Sequence, residues 1–128
     1  MGVDLSTPGV FIVLVCGGRE YCDFAAVCRT LDRLRASTDR PLLIVHGAAR
    51  GADSMASAWV KRLGDERTDD MPFPADWTKH RRAAGPIRNR QMLRETSPHL
   101  VLAFPGRNGT EDMCSIAEAA GMPVRRVG

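Results

Sequence analysis

Residues 10–16, VFIVLVC, form an unbroken apolar run rich in β-branched side chains, closed by Gly17-Gly18. A strand with one wet face alternates apolar and polar residues, so a run without alternation needs cover on both faces. Parallel strands receive that cover from their crossover helices, which points to an α/β fold. The rest of the chain fits. Phe24, Val27, Cys28, Leu31 and Leu34 recur at three- and four-residue steps. This predicts a helix capped by Asp23 and ended by the polar residues 37–40. Leu42–Val45 reads as a second buried strand, and Ala52–Leu63 as a helix stopped by Gly64. Residues 65–72 are charged and read as a surface loop, while Pro72-Phe73-Pro74 reads as a poor third strand whose prolines favour a sheet edge. A helix from Pro86 to Glu95, a strand over Leu100–Phe104, a helix over Glu111–Ala120 capped by Thr110, and a short strand over Pro123–Val127 complete the pattern.

Strands alternating with helices predict a Rossmann-like, doubly wound and mainly parallel sheet of about five strands with helices on both faces. The 128 residues show no internal repeat or linker, so a single domain over 1–128 is expected.

The net charge of only +3 argues against a general nucleic-acid face, so nucleic acid is not the expected partner. The longest apolar run is far short of the roughly 20 residues of a membrane helix, and Met1–Pro8 carries no basic leader; a cytoplasmic protein is expected. Cys16, Cys22, Cys28 and Cys114 lack zinc-site spacing and read as buried or half-buried hydrophobes in a reduced compartment. His46, His80 and His99 are not spaced as a metal triad. His46, at a strand end, reads as a hydrogen-bonded core histidine, and neither a metal nor a cofactor is expected.

Glycines and arginines gather just after the predicted strands, at the edge where open parallel sheets bind ligands. Gly17-Gly18-Arg19 follows the first strand. Gly47, Arg50, Gly51 and Asp53 follow the second, in a loop like a phosphate cradle but without the Gly-Lys-Ser/Thr of a P-loop. Asp53 either charges the helix start or accepts a bond from a ribose hydroxyl. Arg88-Asn89-Arg90 brings arginine forks suited to phosphate oxygens, against the alternative of a solvated helix face. Pro105-Gly106-Arg107 with Gly109-Thr110 meets the positive end of a helix and is the strongest anion site in the chain. Asp76-Trp77 could orient and stack a base, or Trp77 could be core; Trp59, in a helical apolar stripe, reads as core. Glu111 and Asp112 are the carboxylates nearest the strongest anion site, as candidate general bases or as favourable charge in a first helical turn.

These stretches resemble the SLOG superfamily, and within it the small YspA/YpsA-related family. The matching segments are residues 15–19, 46–53, 73–77, 84–92 and 104–110, in family order. The resemblance implies a Rossmann-like fold and a site for nucleotide-derived ligands. The same superfamily holds the Lonely Guy phosphoribohydrolases, whose Arg-x-x-x-Met and Pro-Gly-Gly-x-Gly-Thr-x-x-Glu signatures are similar to Arg88, Met92, Pro105, Gly106, Gly109 and Thr110 here. Two positions depart: Arg107 replaces the second glycine, and Met113 replaces the glutamate that those enzymes use in catalysis. Methionine moves no proton, so Glu111 or Asp112 would have to substitute.

The resulting expectation is a module that binds or senses a phosphate-bearing nucleotide or nucleotide-derived small molecule. An N-glycosidic hydrolase acting on nucleoside 5′-monophosphates is the alternative, and a single-stranded DNA-binding accessory protein the second. The superfamily resemblance also implies a homodimer.

Overall fold

The computed structural model describes residues 2–128. The expected apolar runs become central strands: β1 (Phe11–Cys16), β2 (Leu42–His46) and β4 (Leu100–Ala103). They are flanked by β3 (Thr68–Pro72) and β5 (Val124–Arg126) in an all-parallel sheet ordered β3-β2-β1-β4-β5. The connecting helices are α1 (Phe24–Ala36), α2 (Ala52–Leu63), a single-turn α3 (Trp77–His80) running through a 3₁₀ turn (Arg81–Ala83) into α4 (Ala84–Thr96), and α5 (Asn108–Ala119).

Alternate strand residues feed two separate cores. Val13, Val15, Leu42, Ile44 and Leu102 pack under α1 and α2, against Val27, Leu31 and Trp59. Ile12, Leu14, Leu43, Val45 and Val101 pack under α4 and α5, against Met92, Met113 and Ala117. Two-sided burial is why the strands carry no polar alternation. Trp59 is core as expected, and its Nε1 donates to Asp32 at 2.9 Å. Asp23 caps α1 by accepting from the Ala26 amide at 3.0 Å, and Gly64 ends α2 in the left-handed conformation.

The third strand corrects the sequence reading. It lies over Thr68–Pro72, inside the segment expected to be a loop, though at the expected sheet edge. Its charged residues hid it, yet each has work in an edge strand. Asp69 accepts from the Val3 amide, and Asp70 pairs with His46. Helix α4 begins at Ala84 rather than Pro86, and α5 at Asn108 rather than Glu111. Thr110 is therefore inside α5 and makes no capping bond. The four cysteines are free, but Cys22 is exposed rather than buried.

The chain winds outward from β1 to β2 and β3, then returns to place β4 on the other side of β1. Neighbouring connections thus diverge between the carboxyl ends of β1 and β4, which opens a crevice there.

Candidate functional site

A cavity of about 810 Å³ occupies this switch point. Its floor is made by two loops locked together. Phe104 donates its amide to the Cys16 carbonyl at 2.9 Å, and Gly18 donates to the Pro105 carbonyl at 2.9 Å, extending the β1–β4 ladder past its last residues. The chains then part. Gly106 lies so close to Gly18 that a Cβ on it would stand 2.7 Å from the Gly18 nitrogen and collide with the Thr110 hydroxyl. Gly51, at φ +84°, has a Cβ position blocked by the Gly18 carbonyl. The glycines at these two positions let backbones touch; they shape the cavity before any ligand arrives.

Helix α5 starts at the cavity wall. The amides of Asn108, Gly109 and Thr110 lie in its first turn, where no carbonyl of the preceding turn is available to them. Gly106, Arg107 and Thr110 line the cavity beside them. Amides without helical partners and the positive end of a helix thus lie together at this wall of the cavity.

Opposite it stands α4. Arg88 donates to the Gly47 carbonyl and, at 3.1 Å, to Asn89 Oδ1, so its guanidinium is held across the cavity side of the β2 loop. Burial pulls this group below the ordinary arginine value, Asp53 opposes the shift, and the Arg19 charge adds to it. Asn89 is 4% exposed and reaches over to α5, donating to the Gly109 carbonyl at 3.2 Å and to Asp112 Oδ2 at 3.0 Å. Asp112 thereby faces the cavity with one oxygen already engaged.

The loop after β2 differs from a backbone cradle. Asp53 accepts from the amides of Gly47 at 3.0 Å and Ala49 at 3.3 Å, and the Ala48 amide donates to His46 Nδ1 at 3.1 Å. These three amides are spent inside the protein. Asp53 is the organiser of this loop. Burial raises its carboxyl above the usual range, against the pull of the Ala49 amide, His46, Arg88 and the Gly47 amide. His46 is the core histidine expected. It is 3% exposed, accepts at Nδ1, and so donates from Nε2 to Asp70 at 2.8 Å.

Trp77 is not core. It is 46% exposed at the cavity mouth, 3.6 Å from the position of a Cβ on Gly85, and the Arg19 guanidinium lies 4.7 Å from its ring centroid.

Several expected residues stand elsewhere. Asp76 caps α3 by accepting from the Lys79 amide at 3.0 Å, and it does not line the cavity. Arg90 is exposed and donates to the Pro86 carbonyl. Glu111 points to β5, where Arg126 donates to it at 2.8 and 3.2 Å and holds its carboxyl below the usual range. Met113 is fully buried in the core under α5. Of the two candidate bases, Asp112 alone reaches the cavity. Arg50 lies on the surface, 2.7 Å from Glu20, beside a second, shallower cavity. Tyr21 was missed by sequence reasoning. Its amide closes a turn onto the Gly18 carbonyl, and its ring packs 5.6 Å from Phe104 and lines the cavity. An aromatic three residues past the glycine pair was the available signal. Among the described residues no cluster of three His, Cys, Asp or Glu side chains is placed to hold a metal ion, and no helix is long and apolar enough to cross a membrane.

Fold and site together define an open parallel α/β protein with a cationic crevice at its switch point. The chain belongs to the YspA, cpYpsA-related SLOG family, whose sequence profile matches residues 11–80. It is also similar to the Gene 61 protein of Mycobacterium phage D29, with 39% identity over 121 residues, covering 91% of this chain and 95% of that protein.

Proposed function

We propose that this protein binds a phosphate-bearing nucleotide or nucleotide derivative in the switch-point cavity, as a binding or sensing module. One observation carries the reading: the first turn of α5 and the Arg88 guanidinium face one cavity, with Trp77 at its mouth. A phosphate accepts bonds from the amides of residues 108–110, where the helix dipole favours negative charge. Arg88 supplies a charge-assisted fork, and Trp77 offers a face for a base. Family membership supports the same reading.

Hydrolysis of an N-glycosidic bond is the second reading, and Asp112 is the observation in its favour. Its carboxylate lines the cavity, oriented by Asn89 at 3.0 Å, and could take a proton from an attacking water. Met113 offers no such chemistry.

Thermal shifts against nucleoside mono-, di- and triphosphates, ADP-ribose, NAD, cyclic nucleotides and ribose 5-phosphate test the proposal. A ligand at 100 times its Kd adds about 2.7 kcal/mol, which raises the midpoint by roughly 10 °C for a domain of this size. One ligand class is expected to stabilise the parent and to shift Arg88→Ala far less, each against its own unliganded midpoint. No shift across the panel contradicts the proposal. Release of ribose 5-phosphate, abolished in Asp112→Asn, would establish the second reading.

A further inference from the structure

A second, more open cavity of about 430 Å³ adjoins the first, and Trp77 lines both. The two share Arg19, Gly47, Ala49, Trp77 and Arg88 as a common wall. The outer one adds Arg50, with Ala48, Pro74 and Ala75. Three guanidinium groups therefore surround a shallow cleft, two of them also facing the inner cavity.

Their charge is poorly matched by the protein. Asp53 is the carboxylate that acts on Arg88, and its Oδ2 already serves two backbone amides. Glu20 meets Arg50 in a pair that is exposed on both sides, where water screens most of the attraction. Arg19 rests on the Trp77 face rather than on a carboxylate. The amides of residues 47–49 are all committed internally, so these three offer an anion nothing. The arginine side chains are the charged donors that line the outer cleft.

We propose that the cleft bounded by Arg19, Arg50 and Arg88 is a second anion subsite, and that the ligand carries two separate anionic groups, one for each side of Trp77. This rests on the nucleotide-binding reading of the inner cavity and narrows it. The ligand class becomes a nucleotide derivative with a second phosphoryl group beyond its first, rather than a simple monophosphate. Trp77 and Arg19 form the partition across which the two groups lie.

The test compares adenosine 5′-monophosphate with two bis-anionic relatives of different span, adenosine 3′,5′-bisphosphate and the 5′-phosphorylated adenylyl dinucleotide. Calorimetric Kd values are measured for the parent, Arg50→Ala and Arg50→Lys. In the parent, at least one bis-anionic compound is expected to bind tenfold or more tightly than the monophosphate, as one added charge-assisted contact warrants. In Arg50→Ala that ratio falls toward one, and Arg50→Lys lies between. A parent ratio near one, or a ratio that survives Arg50→Ala, overturns the outer subsite while leaving the inner one standing. If none of the three compounds binds while another nucleotide of the thermal-shift panel stabilises the parent, the subsite falls alone; if nothing in either panel binds, the reading beneath it falls too.

Discussion

Gly106 and Gly51 place tight limits on the site, because their missing side chains are what allow three loops to meet. Gly106→Ala brings a Cβ against the Gly18 nitrogen and the Thr110 hydroxyl, and Gly51→Ala adds a left-handed backbone to a collision with the Gly18 carbonyl. Each is expected to cost about 1–3 kcal/mol, read from urea unfolding midpoints, with Gly51→Ala at the upper end. Gly109→Ala is the control, since nothing lies within 4 Å of its Cβ position. At this scale the sequence was only half legible. Glycines after strands mark the carboxyl edge of the sheet, but a glycine needed for a loop contact and one suited to a phosphate look alike in a sequence. Asp53 shows the same limit. Its two amide bonds join residues four and six positions apart, so its role as loop organiser appears only once the turn is formed. The carboxylates of α5 diverge for a simple reason. Successive helical residues point about 100° apart, so Glu111 meets β5, Asp112 the cavity and Met113 the core.

The helices and strands carry charge unevenly. Residues 77–94, which make α3, the 3₁₀ turn and most of α4, hold six of the chain's 18 Lys and Arg and none of its 15 Asp and Glu. The rest of the chain is therefore net acidic, a contrast hidden in a total of +3. This basic element borders the cavity through Arg82 and Arg88. An anionic ligand is expected to associate more slowly as salt rises from 50 to 300 mM, with Arg82→Gln flattening that dependence in stopped-flow traces. An association rate that ignores salt would contradict it. Element types were the most legible level. Continuous apolar runs became β1, β2 and β4, and helical periodicity found α1 and α2. The edge strand β3 escaped because edge residues answer to backbone pairing and local partners more than to burial. Its Asp69 and Asp70 read as loop until Val3 and His46 supply their contacts. The early start of α5 escaped because Asn108 and Gly109 are turn formers, which a sequence pattern assigns to the loop before the helix.

Across the molecule, hydrogen-bonded carboxylates set the response to acid. Asp70 lies below its usual 3.8, because hydrogen bonds from His46 and Ser57 outweigh the burial that raises it. Asp65 is also lowered, chiefly by the Arg67 amide. A carboxylate depressed on folding stabilises above its unfolded pKa and loses that contribution as pH falls through the folded one. Stability is therefore expected to drop below about pH 4, from the region of the ordinary value of 3.8 downward. Asp53, raised by burial, has the opposite sign: its contribution is full below the unfolded value and is lost as pH rises through the folded one. Urea midpoints between pH 3 and 6 check both signs. Asp70→Asn should flatten the acid loss and Asp53→Asn should steepen it; the reverse pattern would contradict both signs.

The central proposal is a nucleotide seated between the carboxyl ends of β1 and β4. Amide nitrogen–proton NMR spectra of the protein titrated with adenosine 5′-monophosphate locate it directly. The account predicts the largest shifts at Gly18, Asn108, Gly109 and Thr110, a shift of the Trp77 indole, and little change at Thr38 or Arg67, which lie before β2 and β3 at the opposite end of the sheet. Saturable shifts confined to that opposite end, or none at all with any nucleotide tried, would contradict a ligand site at the β1–β4 switch point.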